Sequence, residues 1–200
     1  MTAPDRHALV VAALAEEVAA VPSGIEVLVT GAGKIRAAAE LASRLSVGAR
    51  PAVVVNIGTA GAVDAAVSGV VEIGYVTEHD FPHEAIESLL GIRLPRGYLL
   101  RRDEPPAPAD APPAGVAAIA TGDVFVADAE QARRIAATGI HLVDMESHAY
   151  AAVCARFAVP FRCVKVVSDT ADADAGESWL DTIESCARRL GDWVTSELLD

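Results

Sequence analysis

Residues 143–174 read VDMESHAYAAVCARFAVPFRCVKVVSDTADAD, and this stretch indicates the fold. Its first half has the apolar spacing of a helix that Pro160 ends, and its second half has the continuous apolar run of a buried strand. Carboxylates stand at both ends, Glu146 before the helix and Asp169 after the strand. The stretch therefore predicts a helix and a strand that hold two acids at one catalytic pocket.

Similar apolar runs recur along the chain, and most are followed by a helical pattern. The predicted strands are Ala8–Ala13, Ile25–Thr30, Ala52–Ile57, Val70–Thr77, Val116–Ala120, His141–Val143 and Phe161–Val167. Continuous apolar runs are typical of strands that are covered on both faces, and strands alternating with helices are typical of α/β folds. We therefore expect one domain over residues 1–200, with a mostly parallel sheet between two layers of helices.

The helical segments predict which faces are buried. Asp128 is expected to cap a helix that runs through Ala137. The proline-rich segment Asp103–Pro113 is expected to be an irregular surface excursion. The first helix is expected to bury Ile35, Ala38, Ala39, Ala42 and Leu45, and the last helix Leu180, Ile183, Ala187, Leu190 and Val194.

Composition excludes several classes of protein. The net charge of −12, from 16 basic and 28 acidic residues, is unlike that of a nucleic-acid-binding protein, which needs clustered cations. The three cysteines form no CxxC pair, and no apolar run approaches the roughly 20 residues of a membrane span. We therefore expect a soluble cytoplasmic protein with neither nucleic acid nor membrane as a partner.

Acidic residues follow several of the predicted strands, where α/β proteins place their ligands. Glu17, Glu78, Glu146 and Asp169 stand at these positions, and converging carboxylates separate their pKa values so that one donates a proton while another accepts one. In Gly58–Gly61, small residues let a ligand approach the backbone near Thr59. This pattern favours acid–base chemistry on a small molecule.

Two other motifs resemble a nucleotide site and a metal site. The GAGK sequence at residues 31–34 lacks the Ser or Thr that follows the lysine of a phosphate-binding P-loop. His79 and His83 stand in EHDFPHE, yet no third cluster completes a metal-ligand set. We therefore expect neither a metal nor a cofactor.

The motif VDMESHAYAAVCARFAVPF followed by VKVVSDTAD resembles the signature of the nucleoside phosphorylase and nucleosidase superfamily, and most closely its methylthioadenosine/S-adenosylhomocysteine nucleosidase branch. Supporting motifs along the chain are AALAEEV, GAGKIRAAA, VVNIGTAGAV and TGDVF. The resemblance implies a three-layer α/β sandwich around a central, mostly parallel but mixed, twisted sheet, often assembled as a homodimer. It also implies hydrolysis of the N-glycosidic bond of a 5′-modified purine nucleoside.

The resemblance assigns a role to each site residue. Asp169 matches the acid that protonates purine N7, Ser168 its supporting residue, and Glu17 the acid that positions the attacking water. At the sugar, Glu146 matches the carboxylate that binds the ribose hydroxyls, and Met145 the side chain packed beside them. The other implied contacts are base stacking by Phe125 and backbone pairing with the base edge at Val126, while Thr59, Gly61 and Lys165 are expected to contact substrate.

Three alternatives stay open from the sequence. One is a futalosine-type nucleosidase, because the segment from His79 to Pro113, which shapes the pocket for the 5′ group in relatives, matches poorly. Another is a phosphate-dependent purine nucleoside phosphorylase, although Asn56 stands where hexameric phosphorylases have Arg. A non-catalytic nucleoside-binding protein is the third. Lys165 replaces an Arg of many nucleosidases and lacks its planar fork.

Overall fold

The computed structural model of the protein describes residues 7–171 and 175–199, and residues 172–174, at the end of the quoted stretch, lie outside them. Within these ranges one sheet of ten strands is flanked by helices. The strands are β1 (Ala8–Ala12), β2 (Glu26–Val29), β3 (Val53–Ala62), β4 (Val70–Ile73), β5 (Tyr75–Glu78), β6 (Gly97–Leu99), β7 (Ala107–Ala109), β8 (Ala118–Thr121), β9 (Leu142–Asp144) and β10 (Phe161–Asp169). The helices are α1 (Lys34–Ser46), α2 (His83–Leu90), α3 (Ala129–Ala136), α4 (Ser147–Phe157) and α5 (Ala175–Leu198), with a 3₁₀ turn at Glu16–Val18.

The sheet is mixed. Its strand order is β2-β1-β3-β9-β8-β5-β6-β7, and β10 pairs with both β3 and β4. Pairing is parallel in β1–β2, β1–β3, β3–β10, β5–β8 and β8–β9. It is antiparallel in β3–β9, β4–β10, β5–β6 and β6–β7. The prediction of a mixed α/β sheet is confirmed.

Alternation along the strands explains the three layers. In β1, Leu9 and Val11 belong to the core cluster that contains buried residues of α1 and α4, while Val10 and Ala12 belong to the cluster that contains buried residues of α5. Successive side chains of a strand point to opposite faces, so α1 and α4 cover one face of the sheet and α5 the other. The predicted sandwich is therefore confirmed.

Two strand boundaries differ from the prediction. β3 does not end at Ile57 but continues to Ala62, because Gly58–Gly61 pairs with β10 along the parallel ladder. The run Val70–Thr77 is two strands, since the chain changes partner from β10 to β8 at Gly74. A Cβ atom at Gly74 would lie 2.4 Å from Val116, so only glycine fits at this change of partner.

The predicted buried face of α1 was wrong by a small rotation. Its buried residues are Ala37, Leu41 and Leu45, whereas Ile35 is 81% exposed. The helix is rich in alanine, so the sequence permits two neighbouring apolar stripes, and packing against α4 selects between them. In α5, Ala187, Leu190 and Val194 are buried as predicted, but Leu180 is exposed.

The segment predicted to be irregular contains an edge strand. Residues Ala107–Ala109 form β7, which pairs antiparallel with β6 at the end of the sheet. Pro108 is tolerated there because an edge strand has one side without ladder hydrogen bonds. The expected cap of α3 is confirmed, since the Asp128 side chain accepts a hydrogen bond from the Gln131 amide at 2.8 Å. Among the described residues no helix is long and apolar enough to cross a bilayer.

Candidate active site

A cavity of about 260 Å³ opens where several strands end. Its wall comes from the turn after β1, the second half of β3, the segment after β8, the ends of β9 and β10, and α5. The parallel strands β1, β3 and β10 end at one edge of the sheet. The antiparallel pairing of Val143 in β9 with Gly61 near the end of β3 brings the end of β9 to the same place. Nine of the ten residues predicted to form the site line this cavity: Glu17, Thr59, Gly61, Phe125, Val126, Met145, Glu146, Ser168 and Asp169.

Glu17 is held by an unusually complete set of donors. Its Oε1 accepts from the Thr59 amide at 2.8 Å and from the Thr59 hydroxyl at 2.9 Å, and its Oε2 accepts from the Leu14 amide at 3.1 Å. The side chain is buried, whereas its neighbour Glu16 is exposed. The 3₁₀ turn after β1 therefore directs one acid of the pair inward and fixes its orientation.

Glu146 has fewer partners. The described residues give it one hydrogen bond, from the Gly33 amide to Oε1 at 2.7 Å, although only 6% of the residue is exposed. Burial and the nearby charge of Asp144 raise the pKa of Glu146 to about 7. The carboxylate thus retains acceptor capacity at the cavity wall, where hydroxyl donors of a ligand would stabilise its charged form.

Behind Glu146 lies a buried ion pair. Lys165 Nζ is 2.9 Å from Asp144 Oδ2, and both side chains are 2% exposed. Asp144 also accepts hydrogen bonds from the hydroxyls of Thr121 and Ser147. Burial would raise the pKa of Asp144, but Lys165 and these hydroxyls lower it below its ordinary value. Both groups of the pair are therefore charged.

Lys165 is the one predicted contact residue that does not line the cavity. Its ammonium group lies 2.9 Å from Asp144 Oδ2, and its side chain is 2% exposed. In this structure Lys165 pairs with Asp144 behind the cavity wall.

Asp169 stands at the end of β10. Its Oδ2 accepts from the Ser168 hydroxyl at 2.7 Å, and its Oδ1 accepts from the Ala171 amide at 2.9 Å. Ser168 is buried and its hydroxyl also lies 3.4 Å from the Ala60 carbonyl. The sequence pair Ser168-Asp169 therefore forms a local unit in which the hydroxyl orients the carboxylate.

The glycines of β3 make room for two of these acids. A Cβ atom at Gly58 would lie 3.0 Å from Glu17 Oε1, and one at Gly61 would lie 2.9 Å from Asp169 Oδ1. Real Cβ atoms essentially never approach as closely as the distance at Gly61, and the distance at Gly58 is tighter than most Cβ contacts, so a side chain at either position would press on a carboxylate. The small residues expected to admit a ligand also admit the acids that face it.

Part of the wall is apolar. Phe125 is 52% exposed and lines the cavity, so it does not pack in the core, whereas Val126 lines the cavity and is buried. Met145 lines the wall between Asp144 and Glu146. An exposed aromatic side chain beside a cavity offers a planar ligand a surface for stacking.

Several contributors were missed from the sequence. Trp179, on α5, lines the cavity and its indole donates to the Thr59 hydroxyl at 3.0 Å. Gly33, in the GAGK turn that looked like a simple chain crossing, supplies the amide that binds Glu146. The two glycines of this motif were the sequence signal for a shaped backbone, since Gly31 and Gly33 both adopt positive φ in the structure.

The charged side chains that line the cavity are all acidic among the described residues. Among the described residues that line it there are four carboxylates, Glu17, Asp144, Glu146 and Asp169, and neither Lys nor Arg. Asn56 is buried behind the wall, where its amide nitrogen donates to the carbonyls of Val11 and Ile57. A cradle for a phosphate anion needs cationic donors, and the described wall supplies none.

The profile of the Phosphorylase superfamily matches residues 15–196. The chain belongs to this superfamily. One relative is the 5′-methylthioadenosine/S-adenosylhomocysteine nucleosidase of Geobacillus thermodenitrificans. It is 31% identical to this chain, and the match covers 88% of this chain and 80% of the relative.

Solved structures show the same superfamily fold. A mutant of the Helicobacter pylori nucleosidase MTAN with 5′-methylthioadenosine in its active site has a TM-score of 0.78 at 19% identity, covering 96% of this chain and 97% of that one. Futalosine hydrolase of the same organism has a TM-score of 0.77 at 19% identity, covering 94% and 95%.

Proposed function

We propose that the protein is a purine nucleosidase that hydrolyses the N-glycosidic bond of a 5′-modified nucleoside of the methylthioadenosine/S-adenosylhomocysteine type. The observation that carries this proposal is a cavity whose acids occupy three different environments and whose described wall has no cation. The 31%-identical relative that bears the nucleosidase name supports the same activity.

At the base end, Asp169 is the general acid. It gives its proton to purine N7, while the bond between C1′ and N9 breaks and its electron pair goes to the base. The Ser168 hydroxyl, 2.7 Å from Oδ2, orients this carboxyl group. Phe125 stacks on the base from the exposed side of the cavity, and the backbone at Val126 pairs with the base edge.

At the sugar end, Glu146 accepts hydrogen bonds from the ribose hydroxyls while Met145 packs beside the ring. Because the described residues give Glu146 a single donor, the ribose supplies the further donors that its buried charge needs. The same negative charge stabilises the oxocarbenium-like sugar that develops as the base leaves.

Water is the nucleophile. Its oxygen forms the new bond to C1′ and one of its protons passes to Glu17, which the Thr59 and Leu14 donors hold in place. Proton exchange with solvent afterwards returns Asp169 to its acid form and Glu17 to its basic form. The products are the free base and the 5′-modified ribose.

Assembly as a homodimer belongs to the same proposal, as does a cytoplasmic location. The support for a dimer is a set of exposed apolar side chains on α2 and its flanks, Phe81, Leu89, Leu90 and Ile92. Such a group on the surface is typical of a protein–protein contact. A partner there would complete the region that the sequence matched poorly.

The test is release of free base with and without phosphate. Methylthioadenosine, adenosylhomocysteine and futalosine are incubated separately with the protein, and the products are identified by mass spectrometry. We expect adenine and a reducing 5′-modified ribose in phosphate-free buffer, with no gain on adding phosphate. The Asp169→Asn variant, which should lose roughly 10²–10⁴-fold in turnover, is the control for a contaminating enzyme.

Each alternative has its own outcome in this assay. A ribose 1-phosphate product would establish a phosphorylase and reject hydrolysis. Cleavage of futalosine alone would assign the substrate class to the other nucleosidase branch, which the fold of the Helicobacter pylori futalosine hydrolase makes the specific competitor. Intact substrates with measurable binding would identify a nucleoside-binding protein.

A further inference from the structure

Three side chains from distant parts of the chain form a hydrogen-bonded row at one end of the cavity. The Trp179 indole nitrogen is 3.0 Å from the Thr59 hydroxyl oxygen, which is 2.9 Å from Oε1 of Glu17. The row joins α5, β3 and the turn after β1. Nothing in the proposed reaction assigns a role to Trp179.

The chemistry of the groups fixes the direction of this row. An indole N–H can only donate, so the Thr59 oxygen must accept from it. The hydroxyl has one hydrogen, and the ionised carboxylate of Glu17 can only accept. The Thr59 oxygen therefore accepts from the indole of Trp179, and the Thr59 hydroxyl donates its own hydrogen to Glu17.

This direction decides which oxygen of Glu17 is available. Oε1 receives two donors, the amide and the hydroxyl of Thr59. Oε2 receives one described donor, the Leu14 amide. A carboxylate oxygen accepts about two hydrogen bonds, so the remaining capacity of Glu17 lies on Oε2.

We infer that Trp179 is a positioning residue for the proposed hydrolysis: by donating to Thr59 it directs the threonine hydroxyl onto Oε1 of Glu17 and leaves Oε2 to take the proton of the attacking water. The inference rests on the proposed function and adds a residue to it. Trp179 acts through Thr59 and does not itself need to touch the reacting atoms.

The kinetic test is a double-mutant cycle. Trp179→Phe keeps an aromatic ring on the cavity wall but removes the N–H, and Thr59→Val keeps the shape of the side chain but removes the hydroxyl. We expect Trp179→Phe to lower kcat about tenfold, the scale of one hydrogen bond, with KM changed less than about twofold. In the Thr59→Val background the same tryptophan change should have no further effect.

Independent losses would overturn the inference. If the double variant loses the product of the two single losses, Trp179 does not act through Thr59. Trp193→Phe is the matched control, because this second tryptophan of α5 packs under Arg162 and does not line the cavity. It should retain wild-type kcat and KM.

A second measurement needs no activity. The chain has two tryptophans, so its proton NMR spectrum contains two indole N–H signals. The Trp193→Phe variant assigns them, because only the Trp179 signal remains. We expect Thr59→Val to shift the Trp179 signal and speed its exchange with water, while Thr59→Ser preserves both. An unaffected signal would contradict the hydrogen bond. A wild-type protein that releases no base from any nucleoside would reject the proposed function instead, before any variant is compared.

Discussion

Glu17 and Glu146 are both buried acids on the same cavity wall, but the protein treats them differently. From the described residues Glu17 accepts three hydrogen bonds, whereas Glu146 accepts one, from Gly33. Next to Glu146 stands a second negative charge, on Asp144, which Lys165 balances. The end of the cavity proposed to hold the water therefore has its donors without a ligand, and we expect a ligand to supply them at the end proposed to hold the sugar.

The contrast matches the two different tasks proposed for these carboxylates. A group that must keep one orientation during proton transfer gains from fixed donors, because they leave little to reorganise. A group that must recognise hydroxyls gains from unsatisfied capacity, because the ligand then replaces water that the protein has excluded. Each of the following experiments breaks or sharpens this contrast.

Glu17→Gln should have the largest effect. Its amide NH₂ must face either the Thr59 amide or the Leu14 amide, so one donor is left opposing another donor, and the proton acceptor is lost. We expect kcat to fall roughly 10²–10⁴-fold with KM nearly unchanged, measured by steady-state base release. The exposed neighbour variant Glu16→Gln is the control, and equal losses in the two would refute the distinction.

Lys165→Met should have the next largest effect, a loss in the free energy of unfolding. It leaves Asp144 charged and buried without its partner, which typically costs about 3–5 kcal/mol. Chemical denaturation gives the free energy of unfolding. The double variant Lys165→Met with Asp144→Asn should recover much of the loss because no unpaired charge remains, and a double variant as unstable as the single one would argue against a charge effect.

Glu146→Gln should change the dependence of stability on pH. The pKa of Glu146 is about 7 in the folded protein against an ordinary value of 4.5, so the folded chain binds its proton more tightly than the unfolded chain does. Stability contributed by the protonated group is present below pH 4.5 and is lost as pH rises through 7. Relative to the Gln variant, the wild type should lose about 2–3 kcal/mol of unfolding free energy over this window.

Ligand binding provides the matching half of this test. Hydroxyl donors favour the ionised form of Glu146, so nucleoside affinity should increase as pH rises from 5 to 7. Calorimetry on the Asp169→Asn variant, which we expect to bind substrate while turning it over roughly 10²–10⁴-fold more slowly, measures this. Combining Asp169→Asn with Glu146→Gln should give weaker binding with a flat pH profile. A sloping profile in that variant would place the titration on another group.

Gly58→Ala and Gly61→Ala should have the smallest effects. Each new methyl group presses on an acid, Glu17 from Gly58 and Asp169 from Gly61, and such overpacking typically costs about 1–3 kcal/mol. Both variants should lose turnover, but only Gly58→Ala should keep nucleoside affinity, since Gly61 lines the cavity and Gly58 does not. Loss of affinity in Gly58→Ala would show that the two ends of the cavity are not independent.

The sequence predicted most of this architecture because strands and capped helices follow from local patterns. β1, β10 and the cap at Asp128 lie where apolar runs and a capping residue place them. The face of α1 could not be predicted, since alanines on adjacent stripes fit the helical period equally well and only contact with α4 decides. The extension of β3 was hidden because its glycines resemble a turn unless the position of the acids beside them is known.

The site was predicted in the same uneven way. Residues in motifs, such as Glu146 and Asp169, were identified from the family resemblance and line the cavity. Trp179 lies outside the motifs that carry the family resemblance. Its contact with Thr59 spans 120 positions of the chain, so only the fold reveals it. The partner of Lys165 was missed for a related reason: packing brings Lys165, behind the wall, next to Asp144, which lines it.

The contact between Trp179 and Thr59 also has a consequence for the order in which the protein is made. A ribosome releases the segments that carry Glu17, Thr59 and Glu146 well before the helix that carries Trp179. Contacts between positions so far apart form late, because the intervening chain must first be brought together. The row of hydrogen bonds from Trp179 to Glu17 is therefore completed by the last of the described cavity-lining elements to be synthesised. A nascent chain contains Glu17 and Thr59 before it contains the tryptophan that donates to Thr59.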